Sequence, residues 1–207
     1  MAKIKICGLR RVEDIAYVNH CVPDYVGFVF AKSPRQVTKE QAGELRRLLG
    51  AEITPVGVFV NAPVEEAAKL LNQGIIDVAQ LHGEESENYI QRLKELTGGA
   101  VIIKAVRVAS REEVPKSLNT RSDYLLFDAY SPLAHGGTGQ TFDWSMIEGV
   151  TKPFFLAGGI TADNVAEAIA AVQPYAVDVS SAVETQGRKD EKKICSMVKC
   201  VREAGLV

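Results

Sequence analysis

Basic surplus is missing from this sequence: 24 Lys and Arg stand against 26 Asp and Glu, a formal net charge of −2. That balance offers no electrostatic footing for nucleic acid or for an acidic membrane surface. Long apolar runs are missing too, and no stretch approaches the roughly 20 residues that span a bilayer as a helix. Strand-like sequence begins within three residues of Met1, which predicts no secretory leader. Cysteine is sparse: Cys7, Cys21, Cys195 and Cys200 are scattered and form no CxxC pair. The expectation is a cytoplasmic, reduced protein without disulfides. His20, His82 and His135 lie far apart and form no metal-ligand motif, so no metal site is expected. Low-complexity tracts, linkers and sequence repeats are absent as well.

What is present is a globular composition, 46% hydrophobic and 24% charged over 207 residues. That length suits one domain, 1–207, large enough to bury a full core. The opening stretch Lys3 to Gly8 alternates polar and apolar residues, the period of a β-strand. Ile4 and Ile6 share one face; Lys3, Lys5 and Cys7 share the other. Apolar strand-like runs recur at Tyr25–Phe30, Thr54–Val60, Ile76–Leu81, Val101–Val106, Tyr124–Asp128, Pro153–Ala157 and Ala176–Ser180. Helical stretches separate them: one after Arg11, one opened by the capping box Thr38-Lys-Glu-Gln41, then Val64–Gln73 and Ser86–Leu96. Ser110–Leu118 contains Pro115, so a helix there is short or broken. Further helices are expected from Asp143, over Thr161–Val172 and over Asp190–Ala204. Eight strands in strict alternation with helices require a parallel sheet covered by helices. The count predicts an α/β protein, a (β/α)8 TIM barrel with its active site at the C-terminal strand ends. An open doubly wound sheet is the alternative, with a smaller usual strand count.

The strand ends carry the candidate chemistry. Cys7 at the tip of the first strand is either buried filler or a reactive thiol. Lys5 lies one step below it on the same face. Asp178 lies in the last strand, which adjoins the first in a closed barrel. The two are expected to pair beneath Cys7, with Lys5 lowering the thiol pKa. Asp128 ends the run Tyr124-Leu-Leu-Phe; it is either a turn residue or, partly buried, a general acid. A thiolate base and a carboxylic acid at strand ends could isomerise a sugar without a cofactor. Gly158-Gly159 and Ser180-Ser181 follow strands seven and eight, where such barrels hold phosphate on backbone N–H groups. Arg35, in a Pro-containing loop, is either a surface arginine or a fork for a carboxylate. His82 either caps its turn or contacts substrate. Gly136-Gly-Thr-Gly139, in the loop Ser131–Thr141, is no Walker motif; it is a mobile loop over the site or a plain connection. His135 beside it is taken as a loop residue.

These residues fall into a known pattern. Lys5-Ile-Cys-Gly8, Val26-Gly-Phe-Val-Phe30, Ser33-Pro-Arg35 and Val56-Gly-Val-Phe-Val-Asn61 resemble phosphoribosylanthranilate isomerases of tryptophan biosynthesis. So do Gln80-Leu-His-Gly83, Gly136 to Trp144, Leu156 to Asn164 and Val177-Asp-Val-Ser-Ser181, in order from first strand to last. The resemblance implies an Amadori rearrangement of N-(5-phospho-β-D-ribosyl)anthranilate, with Asp128 as general acid and Cys7 as base. It implies that Arg35 holds the anthranilate carboxylate and that the loops at Gly158-Gly159 and Ser180-Ser181 hold the phosphate. His82 and Asp178 join them as substrate-binding residues. It implies no cofactor, a small phosphorylated substrate, a cytoplasmic setting and a monomer or homodimer, without nucleic acid or membrane partners. A ribonucleotide isomerase of histidine biosynthesis is the rival enzyme, but that family resembles an aspartate pair gripping two phosphates. A phosphate-binding module without turnover is the non-enzyme rival. One departure stands out: the family commonly has glycine where this chain has Ala182. A positive φ there would cost alanine roughly 1 kcal/mol; an ordinary φ would cost little.

Overall fold

The structure, a computed structural model, describes residues 1–108, 114, 118–129 and 143–205. Its strands are β1 (Lys3–Cys7), β2 (Tyr25–Val29), β3 (Thr54–Phe59), β4 (Val78–Leu81), β5 (Val101–Val108), β6 (Tyr124–Ala129), β7 (Phe154–Leu156) and β8 (Ala176–Val179). They form a closed parallel barrel in sequence order. Closure comes from β8 pairing with β1, with Lys5 in register with Asp178. Around the barrel run α1 (Val12–Cys21), α2 (Lys39–Leu48), α3 (Val64–Asn72), α4 (Glu87–Thr97), α5 (Val165–Val172) and α6 (Glu191–Ala204).

Local chemistry sets these boundaries. Thr38 accepts a hydrogen bond from the Gln41 backbone N–H while the Gln41 side chain accepts one from Thr38, the expected capping box of α2. Ser86 and Asp190 cap α4 and α6 in the same way, each through a side-chain oxygen. α5 starts later than the periodicity suggests, because Asn164 bonds back to Thr161 and Gly159 and keeps that stretch a turn. The helix expected from Asp143 is only a 3₁₀ turn, Trp144–Ile147, with Asp143 capping it through Ser145 N–H. Of the expected segment Ser110–Leu118, only Val114 and Leu118 are described, and the loop Ser131–Thr141 with His135 lies outside the described residues.

Strand alternation divides the apolar residues into two cores. Ile4, Ile6, Val26, Phe28, Leu125 and Phe127 face outward and are buried under the helices. Val56, Val78, Ile103, Leu126, Phe155 and Ala176 face inward and fill the barrel. Each such side chain contributes about 1.5–3 kcal/mol by leaving water. At the N-terminal end of the barrel, Tyr124 and Tyr175 pack with ring centroids 4.6 Å apart. The Tyr25 and Tyr175 hydroxyls hydrogen-bond at 2.9 Å, and the Lys3 ammonium lies 5.1 Å from the Tyr175 ring. These rings form a floor beneath the apolar fill.

The expectation of a disulfide-free chain fails. Cys21, closing α1, and Cys195, in α6, are disulfide-bonded, with Cα atoms 4.9 Å apart. Barrel closure is the reason, since it lays the first helix against the last. The same packing brings a His20 ring nitrogen and both sulfurs within 4.8 Å of one another, so these residues are not scattered in space. His20 is itself held by Glu191, Nδ1 to Oε1 at 2.7 Å. No helix among the described residues is long and apolar enough to cross a membrane.

Candidate active site

A cavity of about 300 Å³ opens at the C-terminal ends of the strands, where inward alternation delivers side chains such as Cys7, Val58, Gln80, Asp128 and Asp178. Cys7, Arg35, His82, Asp128, Gly158, Gly159, Asp178, Ser180 and Ser181 all line it. The sequence thus named nine positions on six different strand ends, and closure of the barrel brings them together.

Lys5 and Asp178 form the base of the site. They are paired at 2.8 Å, with Lys5 fully buried and Asp178 nearly so. A buried ammonium needs such a counter-charge, because neither ion would tolerate the interior alone. Cys7 sits above them on β1. The expected lowering of its pKa is not the net result. Burial pushes the thiol up, and Lys5 and Lys189 only partly pull it back, with Asp178 adding to the rise. Space for the thiol comes from β2: a Cβ at Gly27 would stand 2.7 Å from Cys7 Sγ.

Asp128 extends from β6. His82, just past β4, sets Nε2 at 3.4 Å from Asp128 Oδ2. Its Nδ1 is 2.9 Å from the amide nitrogen of buried Gln80. The loop carrying His82 is braced by Lys104, which donates to the Gly83 carbonyl and to Glu85. Two acceptors in this wall of the site, Gln80 Oε1 and Asp178 Oδ1, are buried without a hydrogen-bond partner among the described residues. Buried acceptors of this kind are costly unless a donor arrives.

The remaining walls are supplied by loops. Gly158 and Gly159 follow β7 with φ of 80° and 69°. Ser180 and Ser181 follow β8, but the Ser180 hydroxyl is turned back to donate to the Cys7 carbonyl at 3.0 Å. Ser180 therefore pins β8 to β1 and offers the cavity chiefly its backbone. Ala182 lies in the 3₁₀ turn Ser181–Val183 and is not among the residues with positive φ, so the strain considered for it does not arise.

Arg35 also lines the cavity, and its partner was not foreseen. Its Nε and Nη2 each bond one oxygen of Glu184 at 2.8 Å. Glu184 begins a two-residue strand, β9 (Glu184–Thr185), paired with β10 (Arg188–Lys189). Lys189 returns from β10 to the same carboxylate at 2.8 Å. Burial pushes the Glu184 carboxyl up, but hydrogen bonds and charge from Arg35 and Lys189 prevail and hold it at about 2. The signal in the sequence was faint: Gln186-Gly187 between Glu184-Thr185 and Arg188-Lys189, a tight hairpin turn with φ of 52° and 71°.

A family model described as N-(5'-phosphoribosyl)anthranilate (PRA) isomerase matches residues 4–200. The chain belongs to that family. An N-(5'-phosphoribosyl)anthranilate isomerase of Thermoanaerobacter pseudethanolicus is 50% identical over 204 residues, 98% of each chain. The crystal structure of phosphoribosyl anthranilate isomerase from Thermotoga maritima matches with a TM-score of 0.89 at 35% identity, over 98% of this chain and 100% of that one. A phosphoribosyl anthranilate isomerase in complex with reduced 1-(o-carboxyphenylamino)-1-deoxyribulose 5-phosphate matches with a TM-score of 0.85 at 34% identity, again over 98% and 100%.

Proposed function

We propose that this protein converts N-(5-phospho-β-D-ribosyl)anthranilate into 1-(2-carboxyphenylamino)-1-deoxy-D-ribulose 5-phosphate, a step of tryptophan biosynthesis in the cytoplasm. The reaction is an aldose–ketose isomerisation, an internal redox exchange in which C2 is oxidised to a ketone while C1 is reduced. The observation that carries this reading is the single cavity that gathers Cys7 and Asp128 between a guanidinium and two anion-suited loops.

Asp128 protonates the furanose ring oxygen, which opens the ring to a Schiff base. His82 orients that carboxyl. Cys7, as thiolate, removes the proton from C2, and the resulting enolamine tautomerises to the ketone. Lys5 lies beneath Cys7 and favours its charged form against the cost of burial. Arg35 holds the aryl carboxylate. The backbone at Gly158-Gly159 and at Ser180-Ser181 receives the phosphate. The unpartnered Gln80 Oε1 and Asp178 Oδ1 accept from the sugar hydroxyls that lie between these two grips.

The test is the loss of substrate fluorescence during turnover, followed in wild type, Cys7→Ser and Asp128→Asn. Each variant should lose at least about a hundredfold in kcat, the scale of one proton-transfer group, while still binding a product analogue. Full activity in either variant would overturn the role given to that residue. A wild type that binds the analogue without turnover would make the protein a binding module.

A further inference from the structure

Glu184 and Lys189 belong to no role assigned above, yet both are nearly buried at the edge of the cavity, with 8% and 1% of their side chains exposed. Their contacts link two residues that line it, Arg35 and Ser180. Glu184 takes the Nε/Nη2 edge of Arg35 with both oxygens. Lys189 donates to Glu184 and, at 2.9 Å, to the carbonyl of Ser180 in the β8 loop. The Arg35 stem is fixed from below as well, for a Cβ at Gly8 would collide with Arg35 Cδ.

Two consequences follow from elementary chemistry. A guanidinium offers several N–H donors in one plane, so a carboxylate on the Nε/Nη2 edge leaves the outer Nη groups for a second anion. Arg35 and Lys189 bring two positive charges against the single negative charge of Glu184. The cluster therefore holds one surplus positive charge, which one more carboxylate would neutralise. A flexible arginine would have to lose rotamer freedom on meeting its ligand; one already clamped does not.

We propose that Glu184 is a positioning residue that presets Arg35 to read the ortho-carboxylate of the substrate's aromatic amine. Lys189 ties this clamp to Ser180, so the carboxylate grip and the phosphate loop keep a fixed separation. This rests on the isomerase reading above and deepens it by assigning how the aryl acid is selected.

The test uses two ligands, the reduced product analogue bearing the aryl carboxylate and its counterpart lacking only that group. Dissociation constants are measured by calorimetry for wild type, Glu184→Gln, Glu184→Asp, Arg35→Ala and the Arg35→Ala/Glu184→Gln double variant. Glu184→Gln should weaken the carboxylate ligand by about tenfold to a hundredfold, the worth of one charged hydrogen-bonded contact, and leave the other ligand unchanged. Glu184→Asp should recover part of the loss. In the Arg35→Ala background Glu184→Gln should have no further effect. Equal weakening of both ligands, or additive losses in the double variant, would overturn the proposal and leave Glu184 a structural residue. A wild type that neither turns over substrate nor binds either ligand would instead overturn the isomerase reading, and the proposal with it. Should Glu184→Gln fail to fold by circular dichroism, Glu184→Asp alone decides by the same comparison of the two ligands.

Discussion

His82 Nε2 lies 3.4 Å from Asp128 Oδ2, while the Gln80 amide holds the opposite ring nitrogen at 2.9 Å. With that amide donating to Nδ1, the ring proton resides on Nε2 and faces the carboxyl. His82→Asn should lower kcat by about tenfold to a hundredfold, a fraction of a full acid–base contribution, with a smaller change in KM. Steady-state kinetics with purified variant decides the matter; an unchanged kcat would return His82 to the status of a turn residue.

Burial raises the Cys7 thiol, with Lys5 opposing. A base acts only when deprotonated, so kcat/KM should climb with pH through an apparent pKa above that of an ordinary thiol. Lys5→Met removes the opposing charge and should move this limb to still higher pH. The rate of Cys7 alkylation against pH gives the same pKa independently. A limb that does not move in Lys5→Met removes Lys5 from the mechanism.

Gly27 faces Cys7 across the β1–β2 pair. In Gly27→Ala the added methyl must displace the thiol, since backbone on both sides is fixed by the sheet. Overpacking of this kind costs about 1–3 kcal/mol. A thermal melt should show that loss, and kcat should fall more than substrate affinity, because the base alone is shifted. A variant with normal melting and normal kcat would mean that the strand yields easily.

The Cys21–Cys195 bond joins the two ends of the chain with a sequence separation of 174. In the chain-entropy view, closing so long a loop is worth about 5 kcal/mol. Cys195→Ser, or reduction of the wild type, should lower the melting temperature without altering kcat, since neither cysteine lines the cavity. Mass spectrometry of alkylated, unreduced protein should find Cys7 and Cys200 labelled and the other two protected.

Glu184 is held at about 2 from an ordinary value of 4.5. A depressed carboxyl contributes stability that is complete above its ordinary value and fades as pH falls through the folded one. Acid unfolding followed by circular dichroism should therefore be less steep between about 4.5 and about 2 in Glu184→Gln than in wild type. Parallel curves would mean that the ion cluster adds nothing to the fold.

The eight strands were legible because a barrel strand is covered on both faces and must be apolar, and because Thr38, Ser86 and Asp190 mark helix starts with caps of their own. The Lys5–Asp178 pair was legible for the same reason: closure puts the first strand beside the last, and two opposite charges in such strands have only each other. The net direction of the Cys7 pKa was not, since sequence names the neighbouring charge but not the depth of burial. Cys21 with Cys195 was hidden because their contact depends on how two helices pack after closure, which no local spacing encodes. Glu184 and Lys189 were hidden in a hairpin of two-residue strands, too short for any period to show. At Asp143 a cap signal was present, but only one turn followed it.

The tyrosine floor and the apolar fill above it close the N-terminal end of the barrel, so among the described residues the site opens at the C-terminal strand ends. Substrate and product must pass the same opening in opposite directions, and never together. Product is thus a pure competitor of substrate, with no ternary complex between them. The open-chain intermediate, once formed, stands over a plug of packed rings and branched chains, which bars its escape through the barrel interior.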